Sequence, residues 1–186
     1  MRIQSYLGIP AVVLLLAACG ATARATSVQT DTGSPVAVML KQEKLDGHVV
    51  LVEFGMTGCP MSQAGLDSMA AWHTRNTVRG LAFLRLDPGR DKAALDKYYA
   101  AESLPFPVVR DTTLAVDKAL GGSGFFQFLL LDKFGRVRFR GGQPSVADIA
   151  GWTAALAAET ADAGPKAPLF RTTDAGTEGS AGYCGK

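Results

Sequence analysis

The sequence predicts a three-layer α/β domain with a mixed central sheet, on three observations. Val49–Phe54 (VVLVEF) is a nearly continuous β-branched and aromatic run, the pattern of a central parallel strand. Stretches of helical apolar spacing alternate with it and with a second apolar run, Leu81–Leu86 (LAFLRL). Phe126–Leu131 and Val137–Phe139, joined by Asp132-Lys133-Phe134-Gly135-Arg136, then read as an antiparallel hairpin. The order is βαβα(α)ββα.

Each element has its own warrant. Val36–Leu45 is a short helix closed by Asp46-Gly47, and Val49–Phe54 is the first strand. From Cys59 or Pro60 to about Arg79, Met61, Leu66, Met69, Ala70 and Trp72-His73 recur at helical spacing, and Gly80 ends the run. Leu81–Leu86 is a strand stopped by Asp87-Pro88-Gly89, and Asp91–Glu102 is a helix. Leu104–Val109, with two prolines, suits only a sheet edge. Thr113–Leu120 is a short helix before Gly121-Gly122. Ser145 caps a last helix to about Ala161, with Val146, Ile149, Trp152 and Leu156 on one face.

The ends read differently. Residues 1–18 have the form of a secretory signal: Arg2, the apolar run Ile9–Ala18, and Leu16-Ala17-Ala18-Cys19. The apolar run is well short of the roughly 20 residues needed to span a bilayer. Leu-Ala-Ala-Cys resembles the lipobox of bacterial lipoproteins, which implies a lipid on Cys19 and a membrane-tethered, periplasm-facing chain. Gly20 in place of an aspartate favours the outer membrane over the inner. Residues 19–35, rich in Ala, Thr, Ser and Gly, are a flexible tether. The domain proper is residues 36–162, and 163–186 form a tail expected to be disordered.

Charge excludes one class of partner. Nineteen basic and seventeen acidic residues are interspersed, with no basic run or aromatic-basic stripe to suit nucleic acid. The chain has three cysteines. With Cys19 assigned to lipid, Cys59 and Cys184 are left to each other, in an exported setting where disulfides are permitted.

Cys59 is the focus because a strand, a turn and a helix meet there. A thiol at a helix N-terminus faces the positive dipole end and unpaired N–H groups. These lower its pKa from about 8.5 toward 7 or below, and only the thiolate attacks a disulfide. The sulfur is therefore expected exposed and ionised. Glu53 lies in the same strand, where a carboxylate is costly to bury without a purpose.

Leu51–Ser62 (LVEFGMTGCPMS) resembles the active-site region of thioredoxin, where a strand leads to Trp-Cys-x-x-Cys. Phe106–Asp111 and Phe128–Val137 extend the likeness; the latter resembles the hairpin of TlpA-type and redoxin-like periplasmic proteins. The resemblance implies a thioredoxin-like fold, with Cys59 as nucleophile and Glu53 as the buried acid that moves protons. It places Pro60, Ser62, Phe125 and Phe126 against the substrate. Pro60 is equally explained by helix-start geometry, where its missing N–H costs nothing.

The chain departs from that pattern at three places. Ser62 stands where the resolving cysteine would be, making this a Cys-x-x-Ser member. Gly58 replaces the flanking tryptophan, and Phe125-Phe126 replace the pair containing the cis-proline. A cis bond before a non-proline residue costs about 3–4 kcal/mol. The Phe125–Phe126 bond is therefore expected trans, with an aromatic surface in place of the usual backbone one.

Cys184 is a candidate resolving cysteine, since a flexible tail of about 21 residues has an r.m.s. reach of about 25 Å. The function expected is monothiol disulfide exchange, reductant or isomerase, on exported protein or small-molecule thiols. It needs no cofactor, and a membrane electron donor is a possible partner. A redox-inactive binding or scaffold lipoprotein is the alternative. A peroxiredoxin-like peroxidase is a lesser one, because Val52 and Met56 stand where its motif needs Pro and Thr. Copper delivery is disfavoured, as Gln63 occupies the position of a second cysteine and too few soft ligands remain. His48 and His73 are read as structural or solvated, and no metal site is expected.

Overall fold

The computed structural model describes residues 33–121, 126–161 and 170. Its elements are α1 (Pro35–Gln42), β1 (Val49–Phe54), α2 (Pro60–Thr74), β2 (Leu81–Asp87) and α3 (Lys92–Glu102). Then come β3 (Val108–Arg110), α4 (Ala115–Ala119), β4 (Gln127–Leu131), β5 (Val137–Gly141) and α5 (Val146–Ala158). The sheet runs β3-β2-β1-β4-β5, parallel on the β2 side of β1 and antiparallel on the β4 side. The mixed three-layer architecture read from the sequence is therefore observed; the edge strand β3 is only Val108–Arg110, and Pro105 and Pro107 lie just before it.

Strand alternation splits the core into two. Val49 and Leu51 of β1 pack with Leu66 and Met69 of α2 and Ile149, Trp152 and Leu156 of α5. Val50, Val52 and Phe54 pack on the other face with Val36, Met39 and Leu40 of α1 and Val116 of α4. All six residues of β1 are buried, which is why the strand reads as apolar throughout apart from Glu53.

Two helices stop sooner than their apolar spacing suggests and one starts later. At each of these ends stands a non-glycine residue in the left-handed region. Lys44 (φ 58) follows α1, and Asn76 (φ 46) follows α2, its N–H donating to the His73 carbonyl at 2.9 Å. Leu114 (φ 58) precedes α4, which starts at Ala115 because the Asp111 carboxylate accepts the Ala115 and Asp117 N–H groups, both at 2.8 Å. The Ser145 cap of α5 is present, its hydroxyl accepting from the Asp148 N–H at 3.1 Å. The β4–β5 turn is held by Asp132, which accepts from the Phe134 and Arg136 N–H groups at 2.9 and 3.0 Å. Gly135 supplies the positive φ of 76° that this turn requires.

Of residues 163–186, one is described. Phe170 is half-buried, its ring stacked on Trp152 at 5.5 Å and 12° with the Arg138 guanidinium 5.3 Å above it. Its N–H donates to the Arg138 carbonyl at 2.7 Å. The large aromatic ring brings enough contact with Trp152 to fix that point of the chain.

Leu130→Ala, in the middle of β4, should cost about 2–5 kcal/mol. Val38→Ala, on the solvent face of α1 at 41% exposure, should stay within about 0.5 kcal/mol. Urea unfolding midpoints at constant slope measure both.

Candidate active site at the end of the central strand

β1 ends at Phe54, residues 55–59 turn, and α2 starts at Pro60. Cys59 is the N-cap of α2 in extended conformation (φ −88°, ψ 123°), and its carbonyl accepts the Gln63 N–H at 3.0 Å. Pro60 occupies the first helical position, where a proline sacrifices no hydrogen bond. The sequence-expected placement of the sulfur at a helix N-terminus is thus observed. Its state differs from expectation: Cys59 is disulfide-bonded and only 3% exposed, between the exposed Gly58 and Pro60. The other two cysteines, Cys19 and Cys184, lie outside the described residues, as does Phe125.

Gly58 has a physical reason to differ from a tryptophan. Its φ is +85° with open space around the site of a Cβ, so backbone strain rather than crowding excludes a side chain. Ser62 does not line the approach to the sulfur. It is 2% exposed, and its Oγ accepts the Met56 N–H at 3.0 Å, bracing the turn from within.

Glu53 is fully buried, not solvated at the strand end. Opposite it in register on β2 is Arg85, whose guanidinium donates to and ion-pairs with Glu53 Oε2. Glu53 Oε1 has no hydrogen-bond partner among the described residues. Gly55 passes directly over this pair: a Cβ there would lie 2.4 Å from Ser62 Oγ, 2.5 Å from Glu53 Oε1 and 2.6 Å from an Arg85 nitrogen.

The same layer holds residues that sequence reasoning passed over. Asp87, also fully buried, accepts at Oδ2 from the Thr57 N–H (3.0 Å), the Thr57 hydroxyl (2.6 Å) and the Tyr99 hydroxyl (2.6 Å). Its Oδ1 accepts the Gly89 N–H at 2.8 Å. Arg85 Nε donates to the Tyr99 hydroxyl at 3.1 Å. Burial chiefly, opposed by Arg85 and reinforced by the bond to Asp87, pushes the Tyr99 phenol up to about 12. The signal available was an arginine and an aspartate inside the apolar run LAFLRLD, two charges that a buried strand has to match with partners.

Phe126 has φ 59° and packs edge-to-face on Phe128 with ring centroids 6.0 Å apart. A Cβ on Gly65 of α2 would stand 3.0 Å from the Phe126 ring, so that glycine admits the aromatic residue beneath the helix. No cis peptide bond occurs among the described residues. His48 and His73 are exposed, the latter's ring against Phe83 at 5.8 Å. No cluster of three or more metal-ligating side chains occurs among the described residues, and no helix there is long and apolar enough to cross a membrane.

Gly55→Ala should cost about 1–3 kcal/mol in urea unfolding, because the added methyl displaces a locked ion pair. Tyr99 ionises later folded than unfolded. The stability this provides should be whole below about pH 10 and vanish as pH climbs toward 12. Unfolding measured across that range, with Tyr99→Phe showing a shallower decline, checks the sign.

No family model and no curated protein matches the chain. Among solved structures it is similar to a candidate thioredoxin from Neisseria meningitidis (TM-score 0.54, 19% identity), covering 63% of this chain and 79% of that one. It is also similar to StoA from Bacillus subtilis (TM-score 0.51, 16% identity, 58% of this chain and 84% of that one). A third is a thiol:disulfide interchange protein of the thioredoxin family from Chlorobium tepidum (TM-score 0.50, 21% identity, 61% and 83%). These likenesses show that the chain has a thioredoxin-like fold.

Proposed function

We propose that the chain is a redox protein of the bacterial cell envelope, tethered by lipid on Cys19, which exchanges disulfides through Cys59. Cys184 acts as its resolving partner. One observation carries the reading: Cys59 caps α2 at the end of the central strand and its sulfur is already in a disulfide. With Cys19 reserved for lipid, Cys184 is the remaining sulfur. Phe170 is docked on Trp152, and Cys184 lies fourteen residues further on, a length with an r.m.s. span of about 20 Å. The disulfide-exchange chemistry of the Chlorobium neighbour named above is consistent with this assignment.

The reaction balances as a two-electron exchange. Reduced Cys59, as thiolate, attacks one sulfur of a disulfide in an exported protein or small molecule. A bond forms from Cys59 to that sulfur, the substrate's own S–S bond breaks, and the departing thiolate takes a proton. The Cys184 thiolate then attacks the Cys59 sulfur, the intramolecular disulfide forms, and the second substrate thiol leaves. Substrate gains two electrons and the protein loses two. A dithiol reductant, such as a membrane-bound donor, returns them; run in reverse, the same steps oxidise a dithiol. Glu53 is the buried acid behind the turn, and Oε1 is its oxygen left to exchange a proton. On this reading Pro60, next to Cys59 in the chain, and Phe126 are the residues that meet the substrate.

The burial of Cys59 favours one other reading, a binding module whose disulfide is purely structural. Trapping separates the two. Cys184→Ala should accumulate mixed disulfides between Cys59 and exported proteins, Cys59→Ala should form none, and the wild type should yield a Cys59–Cys184 peptide under non-reducing mapping. A Cys184→Ala protein without adducts, and without effect on the disulfide state of envelope proteins, leaves the binding module standing.

A further inference from the structure

We infer that Asp87 is a positioning residue for Cys59, acting through Thr57 to hold the turn that presents the sulfur at the α2 N-terminus. The inference rests on the exchange function proposed above. Residues 55–59 are a short turn with few internal bonds. Cys59 N–H donates to the Met56 carbonyl at 3.1 Å, and the remaining contacts come from outside. Gly55 N–H donates to the Leu86 carbonyl at 3.2 Å, Met56 to Ser62 Oγ at 3.0 Å, and Thr57 twice to Asp87 Oδ2 at 3.0 and 2.6 Å. Thr57 is two residues from the sulfur, and it alone of these residues is gripped by a charged group.

The grip is asymmetric in a way that structural economy does not explain. A buried carboxylate is expensive, and one serving only the sheet could be replaced by an apolar side chain at little loss. Asp87 instead gathers three donors on a single oxygen, two of them from Thr57. The Tyr99 hydroxyl from α3 and the Gly89 N–H from the β2–α3 turn orient the carboxylate. Arg85, 3.7 Å from Oδ2, partly balances its charge. Main chain and side chain of Thr57 are thereby fixed together, so Gly58 and Cys59 inherit a defined start. A thiolate gains from a helix N-terminus only if held in line with it, since the effect falls away within the first turn. The geometry of Thr57 therefore bears on how readily Cys59 ionises.

The test measures the reduced full-length protein reacting with a small aromatic disulfide across pH 5–10, which gives the midpoint of the Cys59 rate profile. Thr57→Val keeps the backbone bond and loses the 2.6 Å hydroxyl bond; its midpoint should rise by about one pH unit. Thr57→Ser should restore the wild-type profile, and Asp87→Asn should shift it in the same direction, with the double variant no worse than the larger single effect. Thr57→Val is the decisive variant should Asp87→Asn not fold. A low wild-type midpoint unmoved by Thr57→Val overturns the role of Asp87 and leaves the exchange function intact. A wild-type midpoint at the ordinary thiol value of about 8.5 overturns the exchange function and this assignment with it.

Discussion

A single guanidinium lodged between two buried carboxylates governs this end of the molecule. Arg85, Glu53 and Asp87 are each at most 1% exposed, and one positive charge faces two negative ones. Taking three charges out of water costs several kcal/mol apiece, and Coulomb attraction returns that only with further hydrogen bonds. Those bonds come from the Thr57 and Gly89 N–H groups and from the hydroxyls of Thr57 and Tyr99. The layer therefore closes only if the β1–α2 turn and the β2–α3 turn are both in place. Gly55 is required because the turn has to pass within contact of the charges, and Ser62 faces inward because Met56 needs an acceptor there.

That dependence also separates what the sequence discloses from what it conceals. Apolar spacing and turn residues identified all five strands and the helices, because each element buries a face whose period is local. The sulfur at the helix start was legible for the same reason: strand, turn and helix are contiguous in sequence. Arg85 was not. Its pairing with Glu53 arises from the register of two parallel strands, 32 residues apart, and register is a property of the assembled sheet. The direction of Ser62 was hidden because a serine three residues into a helix can face water or the turn. Helix ends drifted by a few residues where Lys44, Asn76 and Leu114 adopt a left-handed backbone, a conformation composition favours only weakly for Asn and scarcely at all for Lys or Leu.

Cys59 shows how a correct placement can carry the wrong state. Helix-dipole reasoning describes a reduced thiol, whereas the structure holds the oxidised form with the sulfur covered. In the proposed exchange the two would be successive stations of one cycle, the sulfur lying between the exposed Gly58 and Pro60.

The proposed pairing of Cys59 with Cys184 would carry a folding consequence, because the two are 125 residues apart in sequence. In an unfolded chain such a bond closes a loop worth about 5 kcal/mol of lost entropy on the chain-entropy model. In the folded domain Phe170 is docked beside Trp152, fourteen residues before Cys184. On that proposal the fold already holds most of the loop closed, so by linkage the oxidised protein would be the more stable one. The buried charges beneath the turn do not depend on that bond: Asp87 holds Thr57, two residues before the sulfur, through its own hydrogen bonds.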